Sequence, residues 1–189
     1  MKTDQEIWSD LKEGKQSALE SIYNKHIDYL LQYGAKFSRD TLLVEDCVHD
    51  LFFDLWRNRS GLSMTNSIRA YLLVALRRSI IKRSQKRQKQ FSDKEPEEFN
   101  FKAELAIDEV IIQGEISAEQ AAQLNQAIQD LSSRQREVLY LKYFQEVPYE
   151  EIAEIMDIGY QSVRNLVSSA IKALRKHMDV ILFLLVLLH

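Results

Sequence analysis

The sequence predicts an all-α protein, and three observations carry that expectation. Apolar residues recur at three- and four-residue spacing through long stretches, the period of amphipathic helices. Five Gly and two Pro in 189 residues leave few positions for the turns of a β protein. A composition of 46% hydrophobic and 28% charged residues suits one or two small globular domains. The net charge of −3 hides a sharp segregation. Between Ser67 and Phe91 stand Arg69, Arg77, Arg78, Lys82, Arg83, Lys86, Arg87 and Lys89, with no acid. Between Ser92 and Glu119, nine acids face only two lysines. Local sign governs contact with nucleic acid more than the average does.

The stretch from Ile7 to about Gln90 reads as helical, with a break at Asn58-Arg59-Ser60-Gly61 and a loop around Ser63 to Asn66. Its most instructive helix spans Leu42 to Arg57. Val44, Cys47, Val48, Leu51, Phe52 and Leu55 share one face and should be core. Asp46, His49, Asp50, Phe53, Trp56 and Arg57 fall opposite, with Trp56 at the boundary. An aromatic ring framed by carboxylates suits a protein partner with a basic, grooved surface. A second helix of the same domain covering Phe53 is the alternative.

The next helix runs from Ser67 to about Lys89. Leu73, Leu76, Ile80 and Ile81 should face inward. Tyr71, Arg78, Lys82 and Lys86 form one stripe, at spacings of seven, four and four. Cations that track phosphates beside a ring that can stack on a base suit single-stranded or distorted nucleic acid. A merely solvated basic helix would normally include glutamates for pairing.

A polar, acidic connector around Pro96 follows, with weak apolar periodicity at Leu105, Ile107, Val110 and Ile111. Beyond it lies a second helical domain. Within that domain a helix from Tyr149 to Met156 precedes a turn at Asp157-Ile158-Gly159, where Gly159 supplies conformational freedom. The helix after the turn runs from about Tyr160 to Lys176. Val163, Leu166, Val167, Ala170 and Leu174 gather on one side of it. Gln161, Arg164, Asn165, Ser168, Ser169, Lys172 and Arg175 gather on the other. No acid occurs from 158 to 178. A face of amides, hydroxyls and guanidinium without carboxylates is suited to base edges and phosphates. An ordinary αα-hairpin with a solvated face would mix Glu with Lys.

Several chemistries have no residues to carry them. The single Cys47 rules out an intrachain disulfide and fits a reducing compartment. Met1 to Asp10 is polar, so no signal peptide is expected. His26, His49, His177 and His189 are dispersed and share no ligand spacing with Cys47. There is no glycine-rich phosphate loop and no nucleophile turn. The expectation is a non-enzyme with no cofactor, metal or small-molecule substrate. Val180 to Leu188 is an apolar run of nine residues. As a helix it would reach about 14 Å, against roughly 30 Å of hydrocarbon. It is expected to be covered rather than to span a membrane, by the N-terminal domain or the connector first and by an inhibitory partner or a second copy next, with a disordered end as the alternative.

The chain resembles the extracytoplasmic-function (ECF) group of the sigma-70 family of bacterial sigma factors. The resemblance rests on the order and spacing of several stretches between about Leu19 and Lys176. Val44-Glu45-Asp46-Cys47-Val48-His49-Asp50-Leu51-Phe52-Phe53-Asp54-Leu55-Trp56-Arg57 is similar to region 2.2, the polymerase-binding helix. Ile68-Arg69-Ala70-Tyr71-Leu72 through Arg87 is similar to regions 2.3 and 2.4, which melt and read the minus-10 element. Ala127 to Val138 resembles the opening of region 4. Tyr149 to Met156 and Ser162 to Arg175 resemble its helix-turn-helix.

The chain departs from the family pattern at four points: His49 stands for Gln, Arg78 for Asn, Ser132 for Pro and Pro148 for Ser. Ser132 can instead cap the following helix, with Gln135 completing a capping box.

The resemblance implies two small helical domains joined by the acidic connector: region 2 at 7–90, connector at 91–118, region 4 at 119–178 and an apolar tail at 179–189. It implies core RNA polymerase and promoter DNA as partners and leaves room for an anti-sigma factor. Asp46, His49, Asp50, Phe53 and Trp56 would contact polymerase. Tyr71, Arg78, Lys82 and Lys86 would hold the opened strand. Gln161, Ser162, Arg164, Asn165, Ser168 and Lys172 would meet the minus-35 element. A cytoplasmic location follows from these partners.

Two other readings compete. A stand-alone helix-turn-helix regulator accounts for 148–176 but not for the basic stripe. A protein that only sequesters another helical factor accounts for the Phe53 face but not for the acid-free helix.

Overall fold

The computed structural model describes residues 2–91, 99–102 and 126–176. Among these residues the regular structure is helical throughout, with no strand. Contacts divide the chain into two compact units, one of Met1–Asn100 with Glu154–Met156 and one of the remaining residues from Phe101 onward.

The first unit is a four-helix assembly. Helix α1, Asp4–Lys12, starts at a capping box: Thr3 caps the backbone N–H of Glu6, and the Glu6 carboxylate accepts from the backbone of Thr3 at 2.7 Å. Its Trp8 and Leu11 are fully buried. Gly14 ends the turn with φ +86, a left-handed conformation that glycine adopts without a Cβ clash.

Helix α2, Gln16–Ala35, buries Ala18, Ile22, His26, Leu30, Tyr33 and Gly34. Gly34 allows three helices to meet closely. A Cβ there would lie 2.5 Å from Val44 Cγ1 and 3.2 Å from Ile80 Cδ1. Helix α3, Thr41–Arg57, is capped by Asp40, whose side chain accepts from Leu43 N at 3.0 Å. All six apolar residues expected on its inner face are buried, and Leu43 joins them.

The break expected at 58–61 is a 3₁₀ turn, Arg59–Gly61. Helix α4, Ile68–Phe91, then packs against α2 and α3. Leu72, Leu73, Leu76 and Ile80 are fully buried. Ile81 is only half-buried, and Leu72 takes the inward place expected of it. Arg77 is also buried, with its guanidinium 4.9 Å from the Phe99 ring. One of the eight cations is thus spent on packing, because a guanidinium can stack flat on an aromatic face.

In the second unit, Phe101 is fully buried and its ring lies 5.6 Å from that of Tyr140. Arg136 donates from Nε to the Phe101 carbonyl at 2.6 Å. This anchor was missed in the connector, where the sequence pointed to Leu105, Ile107, Val110 and Ile111. Those four lie outside the described residues, as does the apolar tail.

Residues 126–129 are helical. Helix α5, Ser133–Leu139, opens with the expected capping box: Ser132 Oγ accepts from Gln135 N at 3.3 Å, and Gln135 Oε1 accepts from Ser132 N at 2.9 Å. A π-helical turn, Tyr140–Phe144, follows. Helix α6, Tyr149–Met156, and helix α7, Tyr160–Leu174, follow, with α5 packed against α7.

The turn between α6 and α7 departs from expectation. Asp157 holds the left-handed conformation, with φ 55, whereas Gly159 sits in extended backbone at φ −67 and caps α7. Aspartate tolerates that region better than most residues with a Cβ. Among the described residues no helix is long and apolar enough to cross a membrane.

Candidate polymerase and DNA interfaces

The first candidate interface lies on the outer side of α3. Asp46, His49, Asp50 and Phe53 are exposed, and Trp56 is half-buried. Phe53 is 57% exposed, so no element of its own unit covers it. The Arg57 guanidinium lies 5.5 Å from its ring centre while pairing with Asp54 at 2.8 Å. Trp56 is held by Arg59, which stands 4.2 Å over its ring and donates to its carbonyl at 2.8 Å.

Beside them α2 and α3 enclose an open groove of about 510 Å³. Leu19, Tyr23, Ile27 and Leu31 of α2 face Val48, Phe52 and Phe53 across it. The α2 contribution was missed in the sequence. Tyr23 was the available signal: it is 44% exposed, and its ring lies 4.9 Å from that of Phe52.

The basic stripe on α4 divides by role. Arg78, Lys82 and Lys86 are exposed, as expected. Tyr71 belongs to the same side but is half-buried, with its ring edge-on to Trp8 at 4.9 Å. Burial pushes its phenol above the ordinary range. Tyr71 also lines a cavity of about 190 Å³ between α3 and α4, together with Asn58, Leu62, Ser79, Asp50 and Arg83. Two further cations of α4 cross to α3. Arg83 Nη2 pairs with Asp50 Oδ2, and Arg87 Nη1 pairs with Asp40 Oδ2. The backbone N–H of Leu43, aided by the Arg87 guanidinium, holds the Asp40 carboxyl below its usual range. Met64, in the loop before α4, is 59% exposed and was not anticipated.

The second candidate interface is α7. Gln161, Ser162, Arg164, Asn165, Ser168 and Lys172 are all exposed. Val163, Val167, Ala170 and Leu174 are buried behind them, and Leu166 is half-buried. Gln161 Nε2 donates to Asn165 Oδ1 at 3.0 Å, which orients the Asn165 amide. Ser169 is exposed as well, but its hydroxyl is engaged within the unit: it donates to the Leu166 carbonyl at 2.9 Å and accepts from Gln135 Nε2 at 3.1 Å. Gln135 thereby caps α5 and braces α7 at once. At the start of α7, Tyr160 is 44% exposed and meets the Tyr149 ring at 6.1 Å. Lys142 lies 4.6 Å over Tyr149, so a cation and two rings follow one another to the start of α7. Among the described residues no group of three His, Cys, Asp or Glu side chains could hold a metal ion.

Two family models match this chain, Sigma-70 region 2 over residues 22–90 and Sigma-70, region 4 over residues 121–174. The chain belongs to the sigma-70 family. It is an RNA polymerase sigma factor of the ECF group, the subunit type that binds core polymerase and directs initiation at promoters.

A curated relative is the ECF RNA polymerase sigma factor SigK of Mycobacterium ulcerans (strain Agy99), 22% identical over 167 residues and covering 88% of each chain. The fold is similar to that of CnrH in complex with the cytosolic domain of CnrY, with a TM-score of 0.61 and 17% identity over 92% of this chain and 95% of that one. It is also similar to the sigma factor RpoE in complex with the anti-sigma factor NepR from Bartonella quintana. That match has a TM-score of 0.56 and 22% identity over 89% of this chain and 98% of that one.

Proposed function

We propose that this sigma factor divides its work between three surfaces. The acid-free face of α7, with Gln161, Ser162, Arg164, Asn165, Ser168 and Lys172, reads the minus-35 element in the major groove. The exposed side of α4, with Arg78, Lys82 and Lys86 beside Tyr71, holds the opened minus-10 strand. The outer face of α3, with Asp46, His49, Asp50, Phe53 and Trp56, grips a basic coiled coil of core polymerase. The observation that carries the reading is α7, where six polar side chains without a single carboxylate all face solvent.

In this reading region 2 occupies 7–90 and region 4 occupies 119–178. The chain contributes binding and positioning and no catalytic group, and it works in the cytoplasm beside polymerase. An anti-sigma factor would occupy the apolar groove between α2 and α3, because a partner seated there denies Phe53 and Trp56 to polymerase.

Transcription from a library of promoter fragments by purified chain plus core polymerase tests the whole reading. Promoter-selective transcripts that depend on the chain are expected. Selective duplex binding without any effect on polymerase would instead identify a stand-alone regulator.

A further inference from the structure

Arg83 stands at the junction of two surfaces. It belongs to the cationic helix α4, yet its guanidinium is paired with Asp50 on α3. Among the described residues Arg78, Lys82 and Lys86 form no such pair. Arg83 also forms part of the wall of the cavity that holds Tyr71, Asn58 and Ser79. It is one of the eight cations of this stretch, half-buried and off the stripe of Tyr71, Arg78, Lys82 and Lys86.

The Asp50–Arg83 pair is open to solvent, with side-chain exposures of 54% and 38%. Such pairs hold by about 0–1 kcal/mol and exchange partners readily. A phosphate can replace the carboxylate on a guanidinium with equal or better geometry. Asp40, by contrast, also caps α3, so its pair with Arg87 is tied to the helix end.

We propose that Asp50 masks Arg83 from DNA in the free chain, and that engagement of Asp50 by a cationic group of core polymerase releases Arg83 as an additional phosphate contact. This rests on the assignment of α3 to polymerase. The device couples the two surfaces through one shared carboxylate. A free chain then holds stray single strands less tightly, and Arg83 joins Arg78, Lys82 and Lys86 only in the holoenzyme. The coupling is bounded by the strength of the pair, because a ligand shifts such an equilibrium only by its differential affinity.

The test uses the full chain without polymerase and a fluorescein-labelled single-stranded DNA of mixed sequence. Asp50→Asn should bind about threefold tighter, and its log K against log salt should steepen by about 0.7, the mark of one more single-strand phosphate contact. Arg83→Gln alone should change little, and Asp50→Asn should gain nothing in the Arg83→Gln background. A gain that persists in that background is general relief of repulsion and overturns the mask, as does the absence of any gain.

In holoenzyme, Arg83→Gln should weaken the same strand about threefold. An equal effect of Arg83→Gln in the free chain and in holoenzyme overturns the release. The α3 assignment is judged separately: undiminished core binding by Asp50→Asn removes polymerase as the trigger, while the free-chain cycle still decides the mask.

Discussion

Asp4 accepts a hydrogen bond from the backbone N–H of Ile68 at 3.0 Å, so a residue of the first helix caps the first turn of the cationic helix α4. The same carboxylate pairs with Lys25 of α2 at 3.4 Å. One side chain therefore ties α1, α2 and α4 together 64 residues apart in sequence. The N-terminal amides of α4 have no intrahelical acceptor, and a carboxylate there also opposes the positive end of the helix dipole. Asp4→Ala should destabilise the N-terminal unit by about 0.5–2 kcal/mol, as loss of a helix cap does. Urea unfolding gives that value. Stability unchanged within error would mean that solvent replaces Asp4 at no cost.

Gly34 should be equally restrictive, through space rather than charge. A methyl group there would press on Val44 Cγ1 at 2.5 Å, within a contact also bounded by Ile80. Val44 is β-branched and has no flexible end to move aside. Gly34→Ala should cost about 1–3 kcal/mol, the range of overpacked cores. Gly34→Ala with Val44→Ala should recover part of that loss. A double variant that loses as much as the two single variants combined would show that the methyl group clashes elsewhere.

Phe53→Ala should leave the fold intact and weaken association with core polymerase. Its ring is 57% exposed, so truncation leaves no core cavity. An exposed aromatic at the centre of an interface can carry about 2 kcal/mol or more of binding. Pull-down with core enzyme, alongside circular dichroism and thermal unfolding, separates the two effects. A marked loss of thermal stability would return Phe53 to a structural role.

Legibility in the sequence followed the range of the interaction. The inner face of α3, the span of α6 and the Ser132–Gln135 capping box all rest on residues within four positions of one another, and periodicity shows them. Exposure of the α7 face was legible for the same reason. What the sequence hid involves partners far apart. Arg77 counts as one more cation until Phe99 lies beneath it. Asp50 counts as a free carboxylate until Arg83, 33 residues away, pairs with it. The exchange of turn roles between Asp157 and Gly159 was hidden differently: both residues suit a turn, and only the backbone path decides which takes positive φ.

His26 should make the N-terminal unit acid-sensitive. It is buried on α2, and burial, with Lys25 and Arg69 nearby, lowers its pKa below the ordinary 6.5, against the smaller opposing pull of Asp4. Its Nε2 has no hydrogen-bond partner among the described residues. A histidine with a depressed folded pKa binds its proton more readily when unfolded. Stability is then full above pH 6.5 and falls as the pH drops below 6.5 toward the folded pKa. Urea midpoints on either side of pH 6.5 should differ in the parent chain and converge in His26→Leu. Equal pH dependence in both would assign the sensitivity to other groups.

The polar face of α7 should separate readers from anchors. Arg164 and Asn165 stand one turn into the helix, and Asn165 is oriented by the 3.0 Å hydrogen bond from Gln161. A bidentate contact to a base edge discriminates by about 1–3 kcal/mol, whereas a phosphate contact carries no sequence information. Arg164→Ala and Asn165→Ala should therefore erode preference between promoter duplexes by that amount. Gln161→Ala should cost less than Asn165→Ala, because it loosens the amide without removing it. Lys172 lies about two turns further along the same helix. Lys172→Ala should weaken specific and random duplexes alike and flatten the salt slope by about 0.9, one phosphate contact on duplex DNA. Fluorescence anisotropy against both duplexes over a range of salt measures all four variants. Equal losses on specific and random DNA for Arg164→Ala would make it an anchor, and Asn165 would remain as the reader on this face.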